Sequence, residues 1–325
     1  MQHPAIRRAN CGVGAKIVAR ILVTGAAGLI GTALCPALIA RGHRVVAGLR
    51  RDAALPPGAA EKVVLGDIGP ATDWSMALRG IDIVVHLAQR AHAGTDRRVL
   101  AAEPAAVADL ARAAAAAGAK RLVLLSSIKA MGESTAPGQP FRADDPPRPE
   151  DAYGRAKLAG ERAGATVPGI ELAVIRAPLV YGPGVRANFR ALIRLVASGA
   201  PLPFAALDNR RSLVFRDNLA DLIAVAATHP DAIGRTLLVR DADIATPDLI
   251  CALAAALGRR ARLFALPEPL LSLACRLPGI KAPLSRLTRS LAVDDAPTRA
   301  LLGWSPAVAA TDALAATARA VAAGL

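Results

Sequence analysis

The 325-residue chain is predicted to fold as a doubly wound parallel α/β sheet with helices on both faces and a smaller C-terminal part. Two observations predict this class. The apolar run Ile21–Val23 leads directly into a turn with a glycine at every third position, and a helical pattern follows. Beyond that turn, short apolar strands alternate with helical segments, as in β-α-β units with right-handed crossovers.

The glycine-rich turn reads T-G-A-A-G-L-I-G from Thr24 to Gly31. Gly25 allows the tight turn, Gly28 lets a phosphate approach the backbone, and Gly31 lets helix and strand pack closely. N–H groups at a helix start attract anions. The turn therefore predicts a Rossmann-type dinucleotide site, although its spacing is one residue longer than G-x-G-x-x-G and such glycines also occur for packing alone.

The ends of the next two strands bear on the choice of dinucleotide. Val45–Leu49 is the second strand, and a carboxylate at its end would select NAD. Arg50 and Arg51 stand there instead, which favours NADP(H) and leaves NAD(H) possible; solvated loop charges are the alternative interpretation. After the third strand, Lys62–Leu65, Asp67 is placed to reach the adenine amino group.

The fourth and fifth strands end in residues that are expected to lie near the cofactor and the substrate. Ile81–Val85 precedes His86, interpreted as a strand-end histidine, and the small residues after it suit a backbone that lies against a cofactor. A helix is predicted over Ala105–Ala117, and the fifth strand, Arg121–Leu125, runs into Ser127. Open α/β sheets bind ligands at the carboxyl ends of their strands, so this hydroxyl is well placed.

Tyr153 and Lys157 are four residues apart, so on a helix they share one face. A tyrosine of pKa about 10 is a poor base near neutrality, and a neighbouring ammonium is expected to lower that pKa. Such a pair passes a proton to or from a carbinol oxygen while hydride moves to or from a nicotinamide.

The later chain is expected to supply a substrate-binding part. After the sixth strand, Leu172–Ile175, Asn188 opens a helix over Phe189–Val196, and Arg211 precedes the strand Ser212–Phe215. Arginine forks suit diphosphates. A helix N-cap is an equally good interpretation of Asn188, and a surface ion pair is the alternative for Arg211.

The expected domain organisation has three parts. Residues 20–177 form the dinucleotide-binding domain, and 212–230 return to it. Residues 178–211 and 231–325 form the substrate-binding part. Residues 1–19 contain no apolar core of signal-peptide length, and they are expected to be a flexible extension or an over-long start.

Composition restricts the other classes of function. The formal net charge is +14, but the arginines are spread along the chain and no basic block is interleaved with aromatic residues, so no specific nucleic-acid partner is expected. The four cysteines are scattered, which argues against a metal site or a disulfide framework and fits a reducing cytoplasm. No apolar run reaches the roughly 20 residues that span a bilayer.

Several short motifs together identify a resemblance. They are T-G-A-A-G-L-I-G, G-D-I, H-L-A, S-S-I-K, Y-G-R-A-K, I-R-A-P-L-V-Y-G-P-G and L-G-W-S-P. The set resembles the extended short-chain dehydrogenases/reductases, in particular their NAD(P)-dependent sugar-nucleotide epimerase/dehydratase branch. The resemblance implies that Ser127 holds the substrate oxygen, Tyr153 exchanges its proton, and Lys157 also binds the nicotinamide ribose. It also implies a homodimer.

The resemblance further implies binding residues around this group. The cofactor contacts would be Gly25, Ala27, Gly28, Leu29, Ile30, Arg50, Asp67, Ile68, Leu87, Ala88, Lys157 and Pro178. The contacts to a UDP-sugar would be Ser127, Lys129, Asn188 and Arg211.

Two departures from the family pattern refine the expected activity. The 4,6-dehydratases carry an acidic pair after the active-site hydroxyl, whereas Ile128 and Lys129 stand here. Relatives usually hold an asparagine near the start of the fourth helix, whereas the register here places Glu103 there, followed by Pro104, after a shortened segment.

The runs S-S-I-K-A-M-G-E, A-N-F-R and R-R-S-L-V look most like enzymes of O-antigen and capsule sugar synthesis. We therefore expect a UDP-4-keto-6-deoxy-N-acetylhexosamine 4-reductase, with a UDP-glucose or UDP-N-acetylglucosamine 4-epimerase as the alternative. Non-enzymatic relatives, such as redox sensors or nucleic-acid-binding proteins, commonly lack the tyrosine–lysine pair that this chain has.

Overall fold

A seven-stranded parallel sheet forms the centre of the computed structural model, which describes residues 18–88, 97–266 and 287–324. The described strands are β1 (Arg20–Thr24), β2 (Arg44–Leu49), β3 (Glu61–Val64), β4 (Ile83–His86), β5 (Arg121–Ser127), β6 (Glu171–Ala177), β7 (Leu179–Tyr181), β8 (Arg211–Phe215), β9 (Thr236–Leu238) and β10 (Ala242–Ile244). The described helices are α1 (Gly31–Ala40), α2 (Arg97–Ala116), α3 (Ala152–Ala165), α4 (Ala187–Ala197), α5 (Arg216–Thr228), α6 (Thr246–Ala256), α7 (Ala296–Leu302) and α8 (Ala310–Ala322).

The strand order of the large sheet is β3-β2-β1-β4-β5-β6-β9, and every neighbouring pair is parallel. The order reverses between β1 and β4, which makes the carboxyl ends of these strands the place where such sheets bind ligands. This arrangement confirms the predicted doubly wound α/β fold.

Alternating residues of β1 are buried on opposite faces of the sheet. Ile21 and Val23 pack with α1 and α5, whereas Leu22 packs with α2 on the other face. Successive side chains of a strand point to opposite faces, so one apolar strand serves two helical layers. Such continuous apolar strands are expected of a parallel sheet covered on both sides.

A three-stranded sheet of order β10-β8-β7 forms the second, smaller part, and it packs against α4, α6 and α8. This corrects two assignments. Residues 212–215 were expected to return to the dinucleotide-binding domain, but they pair with β7 and β10 in the small sheet. Residues 236–238 were assigned to the substrate-binding part, but they add the seventh strand beside β6. The helix between them, α5, does pack against the large sheet.

Two helices differ from their expected bounds. The helix expected from Ala105 is described from Arg97, with Pro104 inside it. The helix expected from Phe189 begins at Ala187, with Arg186 as its N-cap, so Asn188 lies in the first turn. Among the described helices, none combines the length and hydropathy that crossing a bilayer requires. Most of the expected N-terminal extension lies outside the described residues.

An extended segment near the C-terminus joins the two parts. The backbone of Thr135 and of Phe141, in the loop between β5 and α3, donates hydrogen bonds of 2.9 Å to Ser290 and Ala292. On its other side the segment pairs with β8, where the Ser212 N–H donates to the Leu291 carbonyl at 2.9 Å. The loop after Ser127 is thereby fixed to the small sheet.

Candidate active site

The glycine-rich turn adopts the backbone that its sequence predicts. Gly25 has φ of +71°, and a Cβ there would lie 2.9 Å from the Ala88 nitrogen, so β1 and the end of β4 meet only around a glycine. A Cβ on Gly31 would lie 2.5 Å from the Gly25 carbonyl oxygen. These contacts explain why side chains are excluded at the first and third glycines.

The start of α1 fits a dinucleotide pyrophosphate. The N–H groups of Ala27, Leu29 and Ile30 donate no hydrogen bond to any residue that the structure describes, and the N-cap Ile30 offers no side-chain cap. Orphan donors at a helix N-terminus attract phosphate oxygens. The residues present therefore fit the phosphates of a bound dinucleotide.

The two residues expected at the adenosine end contact each other. Arg50 Nε lies 2.5 Å from Asp67 Oδ1, and the two side chains are 61% and 51% exposed. The structure thus brings both groups to the ends of β2 and β3, as predicted. It also places a carboxylate against the guanidinium that was expected to meet a 2′-phosphate.

Ser127, Tyr153 and Lys157 come together at the carboxyl end of β5. The Ser127 side chain hydrogen-bonds that of Tyr153, and Lys157 Nζ lies 5.6 Å from the centre of the Tyr153 ring. Asp151 caps α3 by accepting a bond of 2.6 Å from the Gly154 N–H. Any Cβ on Gly154 would overlap the Lys129 carbonyl, so this glycine, which sequence reasoning missed, lets the helix start against the turn after Ser127.

Lys157 is only 4% exposed and forms an ion pair with Glu103, which reaches it from α2. Burial lowers the pKa of Lys157, and the Glu103 carboxylate opposes that shift. The pKa of Tyr153 is raised, first by burial and second by the Glu103 charge, and its bond to Ser127 offsets this only in part. The direction of the Tyr153 pKa shift is therefore opposite to the expected one, mainly because Tyr153 is buried and secondly because the Glu103 carboxylate lies near it.

His86 lies buried at the end of β4, with Nδ1 2.9 Å from the Thr24 hydroxyl. The same hydroxyl accepts a bond of 3.2 Å from the Ala88 N–H. Burial, followed by the charge of Lys157, lowers the His86 pKa to about 3. A neutral imidazole that joins β1 to β4 agrees with the interpretation of a strand-end histidine.

Of the other three residues expected to contact substrate, Lys129 and Arg211 have protein partners and Asn188 is exposed. Lys129 Nζ pairs with Glu133 at 2.7 Å and with Asp151 at 2.6 Å. Asn188 is exposed on α4, and Arg211 Nη1 donates a bond of 3.0 Å to the Arg289 carbonyl. Ser127 contacts Tyr153 directly, and the Lys129 N–H donates a bond of 3.3 Å to the Ser127 hydroxyl.

Comparison with known proteins agrees with this fold and this arrangement of residues. The family model described as the NAD dependent epimerase/dehydratase family matches residues 21–239. The chain belongs to this family. A UDP-glucose 4-epimerase of Vibrio cholerae is 38% identical over 310 residues, which cover 91% of this chain and 93% of that protein. The resemblance to the extended short-chain dehydrogenases/reductases is thereby confirmed.

Solved structures of similar proteins share the fold. MoeE5 in complex with UDP-glucuronic acid and NAD has a TM-score of 0.74 at 25% identity, covering 94% of this chain and all of that one. A UDP-N-acetylglucosamine 4-epimerase from Bacillus cereus has a TM-score of 0.72 at 18% identity, covering 93% and 99% of the two chains. The latter likeness concerns the fold alone.

In this epimerase/dehydratase-family member, a buried ion pair anchors the helix that carries Tyr153. Arg176 Nη2 lies 2.6 Å from Glu161 Oε2, both side chains are at most 7% exposed, and Ser126 also donates to Glu161. The pair ties α3 to β5 and β6. Sequence reasoning missed Glu161 and Arg176; the spacing of Glu161, one turn after Lys157, was the available signal.

Proposed function

We propose that the chain is an NAD(P)H-dependent 4-ketoreductase for a UDP-linked 4-keto-6-deoxy-N-acetylhexosamine in surface polysaccharide synthesis. The observation that carries this proposal is the Tyr153 phenol, hydrogen-bonded to Ser127 and raised in pKa by burial. A tyrosine that keeps its proton is suited to give it to a carbonyl oxygen. Ketone reduction needs that donation, whereas alcohol oxidation needs a phenolate.

The proposed roles follow from the positions of the three side chains. The carbonyl carbon would receive a hydride from a bound reduced nicotinamide, which would be oxidised. Ser127 holds the carbonyl oxygen, Tyr153 gives that oxygen its proton, and Lys157 stabilises the phenolate that remains. The phenolate then regains a proton from solvent, so the net change is one carbonyl reduced to one secondary alcohol.

The residues after Ser127 support reduction over dehydration. Ile128 is buried, and the Lys129 ammonium is already paired with two carboxylates. Neither position supplies the acid or the base that removal of water from a sugar requires. The proposal therefore has another enzyme supply the keto sugar.

A 4-epimerase is the second candidate, because the Vibrio cholerae relative at 38% identity is named a UDP-glucose 4-epimerase. The same three groups would serve both reactions. An epimerase must first oxidise the C4 alcohol, which requires Tyr153 as a phenolate, and the burial of Tyr153 opposes that form.

We propose NADP(H) as the preferred cofactor, with NAD(H) accepted. Arg50 at the end of β2 supports a 2′-phosphate, while the Asp67 carboxylate against it makes the preference modest. Solved relatives named in complex with NAD, MoeE5 among them, support the acceptance of NAD(H).

The sugar nucleotide is proposed to bind between the large sheet and the part that contains the small sheet. The solved complex of MoeE5 with UDP-glucuronic acid and NAD supports a UDP-sugar as the ligand. Lys129, Asn188 and Arg211 remain proposed contacts, which would require Lys129 and Arg211 to exchange their present partners for substrate. A homodimer in the cytoplasm remains part of the proposal.

A stoichiometric assay separates the candidates. The purified protein is incubated with a UDP-4-keto-6-deoxy-N-acetylhexosamine and NADPH or NADH, and separately with UDP-N-acetylglucosamine or UDP-glucose and catalytic cofactor. A reductase consumes one reduced cofactor per keto sugar and leaves the other sugars unchanged. Interconversion of gluco and galacto forms without net loss of reduced cofactor, read by NMR, would overturn the reductase assignment in favour of the epimerase.

A further inference from the structure

Glu103 occupies a position from which one carboxylate affects both Lys157 and Tyr153. Its side chain is 17% exposed and pairs with the buried Lys157 ammonium. A Cβ on Gly160 would lie 3.5 Å from Glu103 Cγ, so the close approach of α2 and α3 holds the acid between the two helices. This is a shielded ion pair with little water to weaken it.

The other charged groups near this pair already have partners within the described part of the chain. Glu161, on the same helix as Lys157, is engaged by Arg176, and Asp151 is engaged by Lys129. His86, which faces Lys157 from β4, is neutral at ordinary pH because its pKa is lowered to about 3. Glu103 is therefore the acid whose charge acts directly on both Lys157 and Tyr153.

We propose that Glu103 is a positioning residue that holds the Lys157 ammonium and keeps Tyr153 in its phenol form, ready to donate its proton to a carbonyl oxygen. The inference rests on the proposed function, because the tuned proton transfer is that of the proposed reduction. It goes beyond the proposed function by assigning control of the Tyr153 protonation state to one residue on another helix.

The physical reason is the cancellation of charge beside the phenol. An ammonium alone would stabilise a phenolate, whereas an ammonium with a carboxylate against it offers little net charge. The Tyr153 proton then stays in place until the arriving hydride makes the carbonyl oxygen basic. At that moment the phenol O–H bond breaks and the new alcohol O–H bond forms. Relatives with a neutral asparagine at this position lack that cancellation.

Removal of the Glu103 charge tests the inference without turnover. Tyr153 and Tyr181 are the chain's two tyrosines, and burial raises the pKa of Tyr181 as well. Tyrosinate absorbance of the protein is titrated from neutral to alkaline pH, and subtraction of the Tyr153→Phe titration isolates the signal of Tyr153. We expect Glu103→Gln and Glu103→Asn to ionise at a pH lower by about one unit than wild type. Glu103→Asp should restore most of the wild-type titration.

The same variants test the kinetic consequence. The pH above which kcat/KM for the keto sugar falls should move down by about one unit in Glu103→Gln and Glu103→Asn. Asp109→Asn is the matched control, since it removes a carboxylate from a surface ion pair on the same helix; it should shift neither measurement. Glu103→Asn also guards against misfolding of Glu103→Gln, and circular dichroism checks both.

An unchanged tyrosinate titration in folded Glu103→Gln and Glu103→Asn would overturn the inference, whatever the substrate proves to be. An equal shift in Asp109→Asn would also overturn it, because a general charge effect would then suffice. Failure of the proposed function has a different signature: no keto sugar is reduced, while the tyrosinate shift is still observed.

Discussion

The two tyrosines of this chain lie in similar surroundings and yet differ in what they can do. Burial is the largest cause that raises the pKa of each, and a carboxylate is the second, Glu103 for Tyr153 and Asp241 for Tyr181. Tyr153 lies on α3 beside the large sheet, and Tyr181 ends β7 of the small sheet. A raised pKa alone therefore does not distinguish a catalytic tyrosine.

The difference lies in the neighbours of each hydroxyl. Tyr181 is fully buried, its ring packs against Phe189 and Phe215 with ring centres 5.7 Å apart, and its hydroxyl donates to Asp241 at 3.4 Å. Tyr153 keeps part of its surface accessible and has a serine and an ammonium beside it. A hydroxyl becomes a proton donor to substrate when it faces a cleft with such partners, and a structural residue when it faces a core.

The test with the largest expected effect removes the hydroxyl of each tyrosine in turn. We expect Tyr153→Phe to lose roughly 10²–10⁴-fold in kcat with cofactor binding nearly intact, because a general acid is removed. Tyr181→Phe should keep kcat within a few-fold and lose roughly 1 kcal/mol of unfolding free energy with its hydrogen bond. Steady-state kinetics, cofactor titration and urea unfolding measure these effects.

Retention of more than about a tenth of wild-type kcat by Tyr153→Phe would contradict its assignment, since general acids typically contribute far more. Comparable losses of kcat in both variants would contradict the proposed difference between a catalytic Tyr153 and a structural Tyr181. Each variant thus serves as the other's control.

Acid stability gives a second test, because the two regions respond to pH with opposite signs. The His86 pKa falls from 6.5 to about 3 on folding, so its contribution to stability is present above pH 6.5 and lost as the pH falls through 3. The Asp241 pKa rises from 3.8 to about 6, mainly by burial, so its contribution is present below pH 3.8 and lost as the pH rises through 6.

We expect His86→Asn to flatten the decline of unfolding free energy on acidification from pH 6.5 to 5, by about 2 kcal/mol. Asp241→Asn should steepen the same decline, because the opposing contribution is gone. Urea unfolding at a series of pH values measures both slopes. Slopes that change in the same direction would show that these two groups do not control acid stability in their regions.

Cofactor choice gives the smallest expected effect. It tests whether the preference between NADP(H) and NAD(H) depends only on residues of the large-sheet region, where Tyr153 also lies. Arg50→Ala should reduce the preference for NADPH over NADH by about tenfold, since one charge-assisted contact is lost. Asp67→Asn should increase that preference by freeing the guanidinium. Arg211→Ala, on the small-sheet side, should leave the ratio unchanged. Fluorescence titrations with both cofactors decide it; an unchanged ratio in Arg50→Ala would disprove the NADP(H) proposal.

Local patterns predicted the parts of the molecule that depend on neighbours in sequence. The glycine spacing predicts the turn after β1, and the four-residue spacing predicts that Tyr153 and Lys157 share a helix face. Ser127 was placed because every parallel strand ends at the same edge of the sheet. These inferences need only the periods of helix and strand.

Long-range pairing accounts for what the sequence could not predict. Glu103 and Lys157 are 54 residues apart, and Arg211 and its partner Arg289 are 78 apart. No periodicity links such pairs. The sequence therefore predicted a lowered pKa for Tyr153, and only the structure indicates that this pKa is raised. The strand β9 has three residues, too few for a pattern, which explains its assignment to the wrong part.

The extended segment at Ser290–Asp294 has a consequence for the order in which the molecule assembles. Thr135 and Ala292, which it joins, are 157 residues apart in the chain. On a ribosome, the large-sheet strands β1 to β6 emerge and can pair well before that segment exists. The loop between the serine and the tyrosine gains its backbone partners only after the small sheet and its neighbours have been synthesised. The proposed catalytic cleft is thus completed late, although Ser127, Tyr153 and Lys157 are encoded in the first half of the chain.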